Sequence, residues 1–298
     1  MKRRMETRQS EKLQIPVQIA NHVVKNNLQK PFAIYLYLKF NSSGKIHEES
    51  DIFTSIKKEL KIKDNRTYKK HFQSLIDINW VGYNEKSGYY HVRGFDRIRY
   101  EYQFKGKQAV TLYYYDLKKL DDFLNASLIC ASVNAKKFVK EVVKRRKLKP
   151  VANNRDATMP AKVYAELQQL DYYGCSLPEI CKLLGCKKTR ASQLRTKASK
   201  AGFIKTKHKF TEILRLNKPD YNVRKFLNEV NPKSMGKIRF RATTIKGVAI
   251  VIVSEQTTDE IIPKLHFKTI NKFNNLVVAP QIKMAIDKRI KEASKKVA

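Results

Sequence analysis

The chain has 298 residues, and its 62 Lys and Arg against 27 Asp and Glu give a formal net charge of +35. With 42% hydrophobic and 10% aromatic residues it can form hydrophobic cores, which excludes a disordered polycation, and its length predicts two or three domains. A charge of this size indicates a polyanionic partner, in the first place nucleic acid and in the second an anionic membrane surface.

Several classes of protein are excluded by the same sequence. The longest apolar run, residues 247–253, is far shorter than the roughly 20 residues of a membrane span. No apolar region follows the basic N-terminus, so we expect no secretory signal. The 4 cysteines are too few for a disulfide scaffold of this size, which favours a reducing, cytoplasmic setting.

The positive charge is spread along the whole chain. Residues 1–106, 107–150, 151–216 and 217–298 carry net charges of +10, +7, +8 and +10. Residues 180–211 contain ten Lys or Arg and no acid. Solvated helices usually mix both signs to form i,i+4 pairs, so an acid-free stretch with helical apolar spacing favours an anionic ligand over a merely solvated face.

In the first half of the chain, apolar spacing predicts helices and then extended segments. Pro31 suits the start of a helix, Ser50 and Asp51 offer a cap for the next one, and the period changes to two after residue 79. In chain order we predict a flexible basic arm at 1–14, helices at 16–26, 31–40, 52–60 and 65–77, a hairpin with strands at 80–83 and 89–93, and extended segments at 97–104 and 108–115.

The second half repeats this plan after a linker. Ser176 and Glu179 fit a capping box, and Gly202 suits a helix end. In chain order we predict a helical stretch at 117–147, a linker at 149–160, helices at 161–172, 177–184 and 189–201, a hairpin at 203–216, strands at 237–241, 248–253 and 264–268, and a basic helix at 282–296.

The order helix, helix, turn, helix, hairpin resembles the winged helix-turn-helix family. Residues 176–204 match it closely, with a glycine in the turn at Gly185 and another closing the third helix at Gly202. Residues 60–81 resemble the same turn, helix and first wing strand. They depart from the pattern at Lys61, where a turn glycine is common, and at Asn79, where glycine often precedes the wing.

The resemblance implies that the third helix of each copy enters a major groove while the hairpin contacts phosphates. Arg66 and Arg190 suit guanine, and Gln73 and Gln193 suit adenine. Acids at 59, 64 and 77 leave dimerisation open as an alternative role for the first copy. The residues expected to contact DNA are Arg66, Thr67, Lys69, Lys70, Gln73 and Lys86 in the first copy, and Lys187, Lys188, Thr189, Arg190, Ser192, Gln193, Arg195, Thr196, Lys205, Lys207, His208 and Lys209 in the second.

No pattern in the sequence favours a metal, a cofactor or catalysis. Cys175, Cys181 and Cys186 form no CxxC pair and have no nearby histidine, which favours burial over zinc binding. The phosphate-binding loop GxxxxGK[ST] is absent. The tyrosines at 113–115 lie in a strand-like run without the Arg and His neighbours that a strand-cleaving tyrosine needs, so we expect them to be core or groove aromatics.

Taken together, we expect an α+β, mainly helical protein that binds double-stranded DNA and is not an enzyme. Its two modules resemble, in architecture only, replication initiators of plasmids and phages, and a transcription regulator of a mobile element fits equally. The alternative is a structural protein that coats a genome, for example inside a virion; a second copy of the chain is a further candidate partner, and a membrane is not expected. The predicted domains are the arm 1–14, winged helix-turn-helix domains at 15–115 and 160–216, a helical connector and linker at 116–159, and a small basic α+β region at 217–298.

Overall fold

The protein has an α+β fold in which helices are combined with small antiparallel sheets. The chain forms two compact units, each assembled from separate segments. The first unit consists of the described residues within Met1–Ala131, Leu183–Phe203 and Lys264–Ala298, and the second of those within Ser132–Lys182 and Ile204–Pro263. The predicted domain boundaries stay predictions. The computed structural model describes residues 11–148, 173–208, 210–216, 238–245, 248–256 and 259–297.

The first unit begins with short helices whose apolar sides are buried. Helix α1 (Val17–Lys25) buries one side, whereas α2 (Gln29–Asn41) is buried on nearly all sides and forms the centre of this part of the chain. Helices α3 (Ile52–Glu59) and α4 (Asn65–Asp77) follow, each with a single buried apolar stripe. Helices were predicted at these four positions from apolar spacing, and the prediction is confirmed.

A three-stranded antiparallel sheet combines one strand that precedes α3 with two strands that follow α4. Its strands are β2 (Lys45–His47), β3 (Val81–Asn84) and β4 (Tyr89–Val92), in the spatial order β2-β4-β3. Gly88 closes the turn between β3 and β4 with a φ of +65°, a conformation that glycine adopts without steric cost. The predicted first hairpin is confirmed, and the last strand of this segment lies between the two earlier ones.

Aromatic side chains join α2 to the hairpin. The Trp80 side chain is 1% exposed, and its ring centroid lies 5.7 Å from that of Phe32 and 5.4 Å from that of Tyr35. The Tyr35 hydroxyl donates to the backbone carbonyl of Arg93, at 2.8 Å. A buried tyrosine hydroxyl needs such a partner, so this hydrogen bond fixes α2 against the end of β4.

Another sheet of the first unit joins the start of the described chain to a strand that precedes the C-terminal helix. Its strands are β1 (Lys12–Pro16), β5 (Gln108–Tyr113) and β12 (Phe267–Thr269), in the order β1-β5-β12. The predicted flexible arm is therefore wrong for residues 12–14, whose backbone pairs with β5; residues 1–10 lie outside the described part of the chain.

The extended segment predicted at 97–104 is wrong, because helix α5 (Phe95–Glu101) occupies most of it. The reason is a buried arginine. The Arg99 side chain is fully buried, and its Nη2 donates to the carbonyls of Gly106, at 2.9 Å, and Asn271, at 3.0 Å. These bonds, of which the one to Asn271 is long-range, override the strand preference of the aromatic residues around Arg99.

The predicted C-terminal helix is confirmed as α9 (Pro280–Val297), which packs against α5. The Tyr100 hydroxyl lies 2.9 Å from both carboxylate oxygens of Asp287. Nη1 of Arg289 lies 3.4 Å from Oε1 of Glu101. The C-terminal residues thus belong to the same compact unit as the N-terminal helices.

The predicted helical stretch at 117–147 is confirmed. A 3₁₀ helix (Tyr114–Lys119) leads into the long helix α6 (Leu120–Leu148). The predicted linker at 149–160 lies outside the described residues, and so does the helix predicted at 161–172.

The second helix pair consists of α7 (Leu177–Leu184) and α8 (Lys188–Lys200), which are joined by a turn at Gly185. The predicted capping box is present. The Ser176 backbone N–H donates to Oε2 of Glu179 at 2.9 Å, and the Glu179 N–H donates back to the Ser176 hydroxyl at 3.4 Å. These bonds satisfy two backbone donors at the start of α7 that lack helical partners.

In the second unit, the strand after the second helix pair is paired with a strand that is distant in the sequence. Strands β6 (Tyr173–Gly174), β7 (Ile204–Lys207) and β11 (Glu260–Pro263) form an antiparallel sheet in the order β6-β11-β7. The hairpin predicted at 203–216 is therefore wrong, because β7 pairs with β11 and not with the residues that follow it.

Residues 208–259, which connect β7 to β11 and are called the insertion below, contain a sheet of their own. Its strands are β8 (Phe210–Leu216), β9 (Ile238–Ile245) and β10 (Val248–Gln256), in the antiparallel order β8-β10-β9. Strands were predicted at the positions of β9 and β10, which is confirmed. The expected partner of β7 is thus the partner of β10.

Candidate nucleic-acid interface

Helix α4 starts with a side-chain cap, and its polar face is exposed. Both carboxylate oxygens of Asp64 accept backbone N–H bonds, one from Arg66 at 3.0 Å and one from Thr67 at 2.9 Å. Tyr68, Phe72 and Leu75 fill the buried stripe. The remaining face contains the residues predicted to contact DNA, and all of them are exposed: Arg66, Thr67, Lys69, Lys70 and Gln73.

Two of these side chains already have partners on their own helix. The Thr67 hydroxyl donates to Oδ2 of Asp64 at 2.8 Å, and the Gln73 amide donates to Oδ1 of Asp77 at 2.9 Å. The hydroxyl of Thr67 and the backbone N–H groups of Arg66 and Thr67 lower the pKa of Asp64. The face of α4 therefore holds two carboxylates among its cations, and Gln73 must leave Asp77 to bind a base.

Helix α8 presents a more uniformly cationic face than α4. Its buried positions are Ala191 and Ala198, and its N-cap, Lys187, makes no side-chain capping bond. The Thr196 hydroxyl donates to the backbone carbonyl of Ser192 at 2.9 Å. Of the residues predicted to contact DNA, Ser192 and Arg195 are half-buried, and the exposed ones are Lys187, Lys188, Thr189, Arg190, Gln193 and Thr196.

The predicted phosphate contacts of the two sheets differ in their surroundings. Lys86 is exposed in the turn between β3 and β4, and Lys205 and Lys207 are exposed on β7. Nδ1 of His208 lies 2.7 Å from Oδ1 of Asp259, so an acid stands beside this expected phosphate ligand. Lys209 lies outside the described residues.

The two helix pairs share backbone conformations at equivalent positions, although the residues differ. Lys61 and Gly185 follow α3 and α7 with φ of +53° and +62°. Asn79 and Gly202 follow α4 and α8 with φ of +57° and +87°. The first helix pair thus differs from the second in residue type at these positions, but shares its left-handed backbone conformation.

Each helix pair is followed by a buried aromatic residue at an equivalent position. Trp80 is 1% exposed and Phe203 is 6% exposed. The Trp80 N–H donates to the Leu75 carbonyl at 2.9 Å, and the Phe203 N–H donates to the Ala198 carbonyl at 3.1 Å. Both helices therefore end through the same hydrogen-bond pattern, which turns the chain toward the next strand.

Within the first unit, a cleft of about 850 Å³ is lined by equivalent positions of both helix pairs. Thr67 and Arg190 both line it; they are the two predicted DNA contacts that the structure brings together there. The charged side chains of this basic cleft are Lys30, Lys61, Lys63, Lys118, Lys119, Arg190 and Lys197, with the acids Glu59, Asp64, Asp121 and Asp122.

The basic cleft includes three lysines that were not among the residues predicted to contact DNA: Lys30, Lys118 and Lys119. Burial, and then the positive charges of Lys30 and Lys70, lower the pKa of His71, which also lines the cleft. Lys118 and Lys119 directly precede α6. Their position next to a helix start is the feature of the sequence that could have identified them as candidates.

The described residues contain no group of three His, Cys, Asp or Glu side chains arranged to hold a metal ion. The cysteines form no disulfide: Cys130 and Cys175 are buried, and Cys181 and Cys186 are half-buried. None of the helices in the described part of the chain has the length and apolar character of a membrane span. Comparison with protein-family models, curated proteins and solved structures gives no match.

Proposed function

We propose that this chain binds double-stranded DNA through two winged helix-turn-helix modules. In such a module the second helix of a pair enters the major groove, about 12 Å wide, and the following strands hold the backbone. The proposal is supported by a recurring arrangement. In the chain, each helix pair lies between the first and second strands of a three-stranded sheet, and the last strand lies in space between the two earlier ones, β2-β4-β3 and β6-β11-β7.

The observation that carries the proposal is the surface of α8. Ala191 and Ala198 are buried, whereas Lys188, Arg190 and Lys197 are exposed. The helix contains no acid from its first residue to its last. An exposed helix face with cations and hydrogen-bonding side chains, and without carboxylates, suits the major groove of DNA.

We assign the larger share of base recognition to α8 and a smaller share to α4. The α4 surface includes Asp64 and Asp77, and Gln73 is bonded to the latter. A carboxylate near a phosphate costs affinity by charge repulsion, so α4 is better suited to a secondary contact or to a second copy of the chain.

The two proposed modules differ in the charge of their exposed helix faces. This difference supports a sequence-specific role, such as that of a replication initiator or a transcription regulator of a phage or other mobile element. The alternative is a genome-coating protein without sequence preference. It is favoured by the distribution of charge, since all four segments of the chain are positive, at +10, +7, +8 and +10.

A randomised duplex pool, incubated with the full chain across a salt series, distinguishes these functions. A specific regulator or initiator enriches a motif among the duplexes retained at about 0.2 M salt. A coating protein loses affinity steeply as salt rises and enriches none. Absence of duplex binding even at low salt contradicts the proposal.

Two single variants test the assignment of base contacts. Arg190→Ala should lose about 1–3 kcal/mol of discrimination at one base pair, whereas Lys205→Ala should weaken binding to all sequences alike. The measurement is the affinity of each variant for the enriched duplex and for a scrambled duplex of equal composition. Equal losses on both duplexes for Arg190→Ala contradict a role for α8 in base recognition.

A further inference from the structure

Three arginines interact electrostatically with one another beside the first hairpin, outside the residues discussed for DNA. Arg93 directly follows β4, Arg97 belongs to α5, and Arg289 belongs to α9. One carboxylate, Glu101, stands among them. Its Oε1 lies 3.4 Å from Nη1 of Arg289, and both its oxygens accept from Nδ2 of Asn79, at 2.9 and 3.1 Å.

Two of these guanidinium groups have donors without acceptors. The side chains of Arg93 and Arg97 are half-buried, and their Nε atoms are buried with no hydrogen-bond partner among the described residues. The Arg93 guanidinium lies against Gly82 of β3, where a Cβ atom would overlap with it. A buried donor without a partner carries a desolvation penalty, so an acceptor in reach of these groups is expected.

The charges of the arginine cluster (Arg93, Arg97 and Arg289) do not balance. Burial, and then the positive charges of Arg97 and Arg289, lower the pKa of Arg93, while Glu101 opposes the effect. The pKa of Arg97 is lowered by burial and by Arg289, again against Glu101. Three guanidinium groups and one carboxylate leave an excess of two positive charges in a partly desolvated place.

We propose that the arginine cluster is a binding site for a phosphate-class oxyanion. The planar guanidinium fork matches the oxygen spacing of phosphate, and two or more forks enclose a tetrahedral anion from different directions. Inorganic phosphate or a phosphomonoester, with close to two negative charges at neutral pH, balances the excess charge, and a DNA phosphodiester, with one negative charge, balances half of it. The anion is either a backbone phosphate of DNA or a phosphate group of a small molecule, and the site does not depend on the function proposed above.

The test uses the full chain with isotope-labelled arginine, because a buried Nε–H is protected from exchange and visible by NMR. Inorganic phosphate replaces chloride at constant ionic strength. We expect saturable shifts of the Arg93 and Arg97 Nε–H signals. In Arg97→Gln the phosphate affinity should fall about tenfold or more, since a hydrogen bond to a charged group is lost. Lys45→Gln, with the same charge loss at an exposed position of β2, should keep the wild-type affinity.

A second variant keeps every charge. Gly82→Ala places a methyl group where the Arg93 guanidinium lies, so it should weaken phosphate binding as Arg97→Gln does. Far-UV circular dichroism checks that each variant is folded. The proposal is overturned if no saturable shift occurs in the wild type, or if Arg97→Gln and Gly82→Ala bind phosphate as tightly as Lys45→Gln.

Addition of duplex DNA identifies the source of the anion. If a DNA phosphate occupies the site, duplex displaces inorganic phosphate and Arg97→Gln lowers duplex affinity about tenfold. If a small molecule occupies it, phosphate and duplex bind together and Arg97→Gln leaves duplex affinity unchanged. A chain that binds phosphate here but no duplex supports this site and contradicts the DNA-binding proposal, so the two failures are distinguishable.

Discussion

The segment from β2 to β4 and the segment from β6 to β11 have the same strand order with very different connections. Residues 85–88 join the last two strands of the first sheet, and residues 208–259, with a separate sheet among them, join those of the second. The conformation after each helix is also shared, with Asn79 in one segment and Gly202 in the other. The two segments therefore share strand order and backbone conformation, but they differ in connection length and residue type.

The largest expected effect concerns the buried aromatic residue after each helix pair. Trp80 contacts the rings of Phe32 and Tyr35, whereas the ring contact of Phe203 is with Phe123, at 5.6 Å. Trp80→Ala should lower the free energy of unfolding by about 3–5 kcal/mol, and Phe203→Ala should have an effect at the lower end of that range, because both leave a cavity.

Urea denaturation followed by circular dichroism measures both variants. Tyr115→Ala is the matched control, since this ring is 71% exposed and its loss should change stability by less than about 0.5 kcal/mol. A smaller loss for Trp80→Ala than for Phe203→Ala contradicts the comparison of the two aromatic positions.

The second prediction concerns the insertion. If strand pairing alone determines the second sheet, a variant in which a short turn of about four residues replaces residues 208–259 should keep the β6-β11-β7 sheet. Its shorter connection should raise the free energy of unfolding by up to about 2 kcal/mol, from loop-closure entropy. Hydrogen exchange of the Ile261 and Thr206 amides measures the sheet directly, and loss of their protection shows that the insertion is needed for pairing.

The length of the connection between paired strands determines which parts of the fold could be predicted from the sequence. The first hairpin could be predicted because its strands are joined by a turn that ends at Gly88. In the second segment, β8 follows β7 closely and has strand composition, but the partner of β7 is β11. Local patterns carry no information on this choice. The same holds for α5, whose conformation depends on the bonds of Arg99 to Gly106 and Asn271.

The candidate site was predictable to the same extent. Apolar spacing placed Lys69 of α4 and Gln193 of α8 on exposed faces, and both are exposed. That Arg190 shares a cleft with Lys30 and Lys119 depends on packing between segments distant in the chain, for which a single sequence gives no periodicity. Contact of these faces with DNA stays a prediction.

The third prediction concerns the turn within each helix pair. Lys61 and Gly185 both have a left-handed backbone, which costs a residue with a Cβ atom about 1 kcal/mol. Lys61→Gly should therefore stabilise the protein by about 1 kcal/mol, and Gly185→Ala should destabilise it by a similar amount. No atom lies within 4 Å of a Cβ built at Gly185, so the loss comes from the backbone alone.

The measurement is the urea midpoint of each variant at an unchanged m-value. Gly94→Ala is the matched control, because Gly94 has a φ of −75° and also has open space around its Cα. Gly94→Ala should lose less stability than Gly185→Ala, because the lower entropy of the unfolded chain offsets the poorer N-cap of α5. If Lys61→Gly and Gly185→Ala shift the midpoint in the same direction, the two turns are not equivalent.

The smallest expected effect concerns the helix starts, where Asp64 caps α4 and Lys187 makes no side-chain capping bond to α8. The pKa of Asp64 is lowered from its ordinary value of 3.8 by the bonds from Thr67 and Arg66. Because the folded-state pKa lies below the unfolded value, this stabilisation is present above the ordinary pKa and is lost as the pH falls through the lowered one. Asp64→Ala should thus be less stable than the wild type near neutral pH, and the difference should shrink toward about pH 3 and below.

Two further variants serve as controls. Asp64→Asn keeps a neutral capping oxygen, so the stability difference between Asp64→Asn and Asp64→Ala should vary less with pH than that between the wild type and Asp64→Ala. Lys187→Ala should leave stability nearly unchanged. Urea denaturation at the two pH values compares all three variants, and an equal cost of Asp64→Ala at both shows that the carboxylate charge does not contribute to the cap.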